Sequence, residues 1–211
     1  MKSEKFASAQ HFFIILHEKS EAMHVFLSED IWDFDLAAAL EEISEQRREQ
    51  ALKFRHELGQ RLCVVAYQLL NRGLKEVYGM EENPEFTYNE HGKPSIVGHP
   101  EIFFNLSHCK EAAICAISER PIGVDVESVR SFNDSLVHYT MNDDEIREIE
   151  AAEDRAVAFI QLWTKKEAAL KLIGTGISKD MKQVLLQKEL HFETFTDKQH
   201  RFVYSVCQFY I

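Results

Sequence analysis

The sequence predicts an α+β fold. Two observations carry this: apolar residues change between helical and strand spacing in blocks, and the blocks run strand, helices, strands, then again strand, helices, strands. Runs of like elements, rather than strict alternation, separate α+β from α/β architectures. The chain has 211 residues, 45% of them hydrophobic and 28% charged, so it holds ample core material for one large domain or two small ones.

In order along the chain, the apolar run Phe12 to Leu16 reads as a first strand. It is too short and bulky for a signal peptide, and Glu4 precedes it. Asp35 to Glu45 is helix-like, with Leu36, Ala39, Leu40 and Ile43 at helical spacing. Arg47 to Arg61 is the most basic stretch, read either as a solvated helix face or as the seat of a polyphosphate ligand. Leu58, Leu62, Val65 and Leu69 then mark a helix with one buried face, expected to stop near Asn71-Arg72-Gly73. Phe86 to Tyr88 leads into a turn through Gly92-Lys93-Pro94, and Gly98-His99-Pro100 is another turn. Ile102 to Ser107 and Ala112 to Ser118 pair as a hairpin. Ile122 to Glu127 is a further strand. Asn142 to Leu172 is largely helical, capped by its Asn-Asp-Asp start and broken near Glu153-Asp154. Val184 to Leu186, Leu190 to Thr194 and Phe202 to Phe209 close the chain as strands. Ile114 to Ile117 and Val203 to Phe209 are comparable closing strands, compatible with a diverged duplication.

Composition narrows the function. No apolar run reaches the ~18–20 residues of a membrane-spanning helix, and the expected location is the cytoplasm. The formal net charge of −11 argues against general nucleic-acid binding. Cys63, Cys109, Cys115 and Cys207 form no C-x-x-C pair and no H-E-x-x-H occurs, which argues against zinc; buried reduced thiols are expected. No phosphate-cradling G-x-x-x-x-G-K-[ST] loop and no G-x-G-x-x-G fingerprint is present.

Asp125 and Glu127 lie at i and i+2 on one strand, so both carboxylates share a face. They are either an exposed polar face or a pair roughly 6–7 Å apart that converges on a hard cation such as Mg²⁺. Glu167 lies one turn from Trp163, near the buried stripe, where a carboxylate needs a partner; either Lys171 at i+4 or a metal supplies it. Ser107 and His108 are strand neighbours facing opposite ways, which makes a Ser–His nucleophile unsuitable. They suit phosphate binding better, as a hydroxyl donor and an imidazole able to become cationic beside negative charge. Gly174-Thr175-Gly176 ends a helix rather than cradling phosphate.

Together, FNLSHCKEAAICAISERPIGVDVE (104–127) and FIQLWTKKEAALKLIGTGIS (159–178) resemble the two signature blocks of Sfp-type 4′-phosphopantetheinyl transferases. The resemblance implies a pseudo-twofold pair of similar lobes, 1–120 and 121–211, each a small antiparallel sheet packed with helices, with coenzyme A bound between them. It implies Mg²⁺ held by Asp125, Glu127 and Glu167, with Glu167 deprotonating the acceptor serine and Lys171 facing the pyrophosphate. Arg47, Lys93, Ser107, His108 and Lys166 match the family's coenzyme A contacts, and Pro94 shapes the turn. Two departures bear on the adenine side: Gln50 stands one turn after Arg47, and Leu62 or Cys63 occupies a region where relatives offer a hydroxyl. The implied partner is an apo acyl, peptidyl or polyketide carrier protein, recognised through Arg130 to Thr140 and Asp180 to Lys188, and a monomer is expected. A non-catalytic binding module and a pyrophosphate hydrolase are the alternatives.

Overall fold

The computed structural model describes residues 23–174 and 181–210. The strand expected at 12–16, together with Thr175 and Gly176, lies outside the described residues. Two three-stranded antiparallel sheets repeat one plan. The first contains β1 (Met23–Ser28), β4 (Phe103–His108) and β5 (Ala113–Ser118), in the order β1-β5-β4. The second contains β6 (Gly123–Ser128), β7 (Leu190–Thr196) and β8 (Phe202–Phe209), in the order β6-β8-β7. In each, the strand that closes the unit is central and helices separate its first and second strands. The architecture is therefore α+β, with small antiparallel sheets packed by helices.

Three helices follow β1: α1 (Leu36–Glu42), α2 (Glu45–Leu52) and α3 (Glu57–Tyr78). The first two start where Asp35 and Ser44 side chains accept from first-turn amides, as N-caps do. A short hairpin, β2 (Phe86–Tyr88) and β3 (Pro94–Ile96), precedes β4. After β6 come α4 (Asp134–Thr140), α5 (Asp143–Ala151) and α6 (Arg155–Ile173). The break between α5 and α6 falls where expected, because Asp154 caps the first turn of α6.

Each sheet has an outer helix and an inner core. Phe26, Cys115, Ile117 and Phe104 meet Leu62, Val65, Leu69 and Leu70 of α3. The opposite face of the first sheet, with Val25, Leu27, Ile114 and Ala116, packs on Val124, Val126, Phe202 and Val206 of the second. Period-two alternation dictates this split: Val124 and Val126 turn to the shared core, so Asp125 and Glu127 turn the other way, toward α6. All four cysteines are buried and free.

Two expectations are corrected. The helix α3 does not stop near Gly73 but runs to Tyr78, where Gly79 at φ 68° closes it with amide bonds back to Leu74 and Lys75. Gly73 is there for room: a Cβ would lie 2.4 Å from Ile117 Cδ1 and 2.7 Å from Phe26 Cε2. Gly73→Ala should therefore lose about 1–3 kcal/mol to overpacking despite better helix propensity, read as a lowered urea midpoint. Residues 184–186 form no strand; they belong to a 3-10 turn, Met181–Leu186, which buries Met181 and Val184 against α6.

Candidate active site

The site forms where β4, β6 and α6 meet. Edge strands β4 and β6 are joined through side chains: Val124 N–H donates to Asn105 Oδ1 at 3.0 Å and Val126 N–H to Ser107 Oγ at 3.3 Å. Two i,i+2 side chains thereby set the register between the sheets. On the other side of β6, Gly123 lets α6 approach closely, since a Cβ there would lie 2.0 Å from the Ala168 carbonyl oxygen. Glu167 and Lys171, one turn apart on α6, are thus held over Asp125.

Asp125 is buried. Its Oδ1 accepts from Lys171 Nζ at 2.6 Å and from Ser107 Oγ at 2.8 Å, and Lys171 also donates to Ser107 Oγ at 2.8 Å. The ammonium that sequence spacing could pair with Glu167 is instead bonded to Asp125. The other oxygen, Asp125 Oδ2, is buried without a hydrogen-bond partner. Burial, then the negative charge of Asp125, pushes the Glu167 carboxyl above the ordinary glutamate range, with Lys171 opposing. Glu127 is raised by burial and then by Asp125; Arg130 and Lys171 oppose this, and Glu167 adds to it. Among the described residues, no three Asp, Glu, His or Cys side chains stand as a ready metal cluster. The donor chemistry nevertheless fits a hard divalent cation: mutually repelling carboxylates around an oxygen with no proton donor.

Two cavities open on these carboxylates. One of about 330 Å³ is bounded by Glu167 and Lys171 of α6, Asn105 of β4, and Lys93 and Pro94 of the hairpin. The hairpin is tied there because Lys93 Nζ donates to the Leu172 carbonyl at 2.8 Å and Asn89 Nδ2 reaches that of Gly174 at 3.5 Å. Burial lowers the Lys93 ammonium below the usual lysine range. The second, of about 220 Å³, lies beside Glu127 and is bounded by Arg130, Phe132, Leu136, Phe159 and Trp163.

The remaining sequence-derived candidates divide. His108 is exposed at the end of β4, yet the protein packed around it partly desolvates the ring; that, and then the cationic Lys171 and Arg47, holds it below the usual imidazole pKa. The Arg47 guanidinium is anchored on the Cys63 carbonyl (3.1 and 3.3 Å) and on Gln50 Oε1 (2.9 Å), over the Tyr67 ring. Gln50, a departure from the family pattern, thus serves to hold Arg47. Two other cations of the basic stretch are engaged elsewhere: Arg48 pairs with Glu41, and Arg61 pairs with Glu57 and lies over Trp32 and Phe34. Lys166 is a correction. Its ammonium is fully buried among Glu145, the Thr140 carbonyl and the Met181 carbonyl, so it does not present itself to a ligand in the cleft. Asn105 was missed as a site residue. Its sequence signals were its place in the FNLSH block and its position two residues before Ser107, on the same strand face.

This geometry accords with the comparisons. Residues 121–207 match the family model of the 4′-phosphopantetheinyl transferase superfamily. Similar curated proteins include 4′-phosphopantetheinyl transferase Sfp of Bacillus subtilis (strain 168), 27% identical over 139 residues that cover 64% of this chain and 62% of the relative. The psf-1 transferase of Bacillus pumilus is 30% identical over 139 residues, 64% of this chain and 60% of its own length. HetI of Nostoc is 32% identical over 154 residues, 69% and 64% respectively. The chain is similar to the Sfp-type phosphopantetheinyl transferases, as its two motif blocks imply. It spans about three fifths of the length of the curated relatives it matches.

Proposed function

We propose that the chain transfers the 4′-phosphopantetheine arm of coenzyme A to a serine hydroxyl of an apo carrier protein, releasing adenosine 3′,5′-bisphosphate. The observation that carries this reading is the mutual electrostatic influence of Asp125, Glu127, Glu167 and Lys171, with Glu167 and Lys171 lining the cavity beside the Lys93-Pro94 hairpin and Glu127 the neighbouring one. Asp125, Glu127 and Glu167 would hold Mg²⁺, which supplies charge neutralisation to the pyrophosphate. Glu167, its proton affinity raised by burial and Asp125, accepts the serine proton as the serine oxygen bonds to the phosphorus carrying pantetheine. The bond from that phosphorus to the bridging oxygen breaks, and the charge released goes with the nucleotide. Lys171 faces that charge. Lys93, Ser107, His108 and Arg47 bind coenzyme A on the side of the larger cavity, with Pro94 shaping the turn; Ser107 is not a nucleophile, because the reacting serine belongs to the partner. The acceptor approaches from the side of Glu127 and Arg130. The enzyme is proposed to act as a cytoplasmic monomer, since one chain carries every group named.

The test is mass spectrometry of an apo carrier protein incubated with coenzyme A, Mg²⁺ and the purified chain. A phosphopantetheine adduct supports transfer. Free phosphopantetheine without an adduct points to hydrolysis, and no turnover points to a binding module; either result overturns the proposal. Ser107→Ala should raise the Kd for coenzyme A about tenfold, the worth of a hydrogen bond to a charged group, while leaving kcat within about an order of magnitude. Calorimetry and steady-state kinetics separate the two. Loss of turnover with normal binding would contradict the role given to Ser107.

A further inference from the structure

The two segments expected to recognise the acceptor, 130–140 and 180–188, are tied through Thr140 and Met181 to one buried anchor. Lys166 is completely excluded from solvent. Its ammonium donates to the Thr140 carbonyl at 3.0 Å, to Glu145 Oε2 at 2.7 Å and to the Met181 carbonyl at 2.7 Å. These acceptors come from the end of α4, the first turn of α5 and the start of the 3-10 turn. The same Glu145 oxygen accepts the Asn142 amide at 2.8 Å, completing a capping box. Asn142 Nδ2 in turn reaches the Lys182 carbonyl at 3.2 Å. The α4–α5 corner and the 181–182 backbone are therefore bonded to each other and to Lys166.

Lys166 adjoins Glu167, and its helix also supplies Phe159, Ile160 and Trp163 to the cavity beside Glu127. The opposite wall of that cavity is 130–136, which leads directly into α4. A buried ammonium is costly unless every donor is used, and this one is bonded in three directions at once. Such a group specifies one arrangement of the pieces it joins. None of the three groups it bonds, Thr140, Glu145 and Met181, lines the cavity beside Lys93, where coenzyme A is proposed to bind.

We propose that Lys166 is a positioning residue for the acceptor side of the site: through Glu145, Thr140 and Met181 it fixes segments 129–141 and 181–186 against the helix that carries Glu167 and Lys171. This rests on the transfer reaction proposed above. Lys166→Met removes the ammonium but leaves Glu145 buried and charged. The double variant Lys166→Met/Glu145→Gln removes both charges, so its fold should be the sturdier of the two. Each is compared with the unmodified protein by thermal unfolding, by calorimetric coenzyme A binding with Mg²⁺, and by transfer kinetics with a varied apo carrier protein.

The expected result is a carrier KM raised about tenfold or more in both variants, with the coenzyme A Kd within about twofold of the unmodified protein. Recovery of Tm in the double variant without recovery of carrier KM supports positioning, because Thr140 and Met181 still lack their donor. A carrier KM that returns to normal along with Tm overturns it, as does a coenzyme A Kd that rises in parallel. Failure of both variants to fold also overturns it, by making Lys166 a requirement of the fold itself. Absence of transfer by the unmodified protein is a distinct outcome. It defeats the proposed function, and this inference with it, before any variant is compared.

Discussion

Glu167→Gln is expected to reduce transfer by about 10²–10⁴-fold, the usual worth of a positioned general base, with little change in Tm. The carboxyl sits where burial and Asp125 raise its proton affinity, a state suited to accepting a proton from a hydroxyl. The amide has the same shape but accepts no proton. It also removes one of three proposed cation donors, so the rise in Tm on adding Mg²⁺ should shrink in the variant. Asp125→Asn should produce a comparable loss by a different route. It removes the charge that holds Lys171 at 2.6 Å and places an amide where the bare Oδ2 now stands. Glu127 and Glu167, freed from the neighbouring charge, should then titrate closer to ordinary glutamates. Rate assays with an apo carrier, Mg²⁺ titrations followed by thermal unfolding, and carboxyl chemical shifts measure these effects separately. Wild-type rates in either variant would remove that residue from the mechanism.

Gly123→Ala is expected to be the most damaging small substitution at the site. An added methyl would lie 2.0 Å from the Ala168 carbonyl oxygen and 2.5 Å from the Leu172 nitrogen. Both obstacles are helix backbone, so no rotamer change relieves the contact. The helix α6 must move away from β6, taking Glu167 and Lys171 with it. Overpacking against backbone places the cost at or above the usual ~1–3 kcal/mol, visible as a lowered urea midpoint. Transfer should fall further than stability alone explains, since misplacing reacting groups by ~1 Å can cost a hundredfold. An active, fully stable Gly123→Ala protein would show that the close approach of β6 and α6 is not what aligns the site.

Much of the site was legible because strand and helix periodicities are rigid rules. Asp125 and Glu127 had to share a face, and Val124 and Val126 had to share the other, once 122–127 was read as a strand. Glu167 and Lys171 had to lie one turn apart. The hairpin at 102–118, the strand at 122–127, the cap near Asn142 and the break near Glu153-Asp154 follow from local chemistry. The end of α3 was misread because Gly73 signals a stop locally. Its real constraint comes from Phe26 and Ile117, 47 and 44 positions away, respectively, in the chain. The 3-10 turn at 181–186 was misread as a strand for a similar reason, since three apolar residues in a row serve either element until their neighbours are known.

The opening inference of an α+β chain in two similar halves, with its carboxylates and cations in two motif blocks, came from the sequence alone. Which cation meets which carboxylate did not. Spacing offered Lys171 to Glu167, but it bonds Asp125 and Ser107; motif position offered Lys166 to a ligand, but it is buried behind the helix against Glu145. Of the basic stretch, Arg47 bears on His108, while Arg48 and Arg61 pair locally. Periodicity determines the face on which a side chain leaves its own element. Only packing between elements decides what that face meets, and a charged group's role depends on its nearest partner and on how much water remains around it.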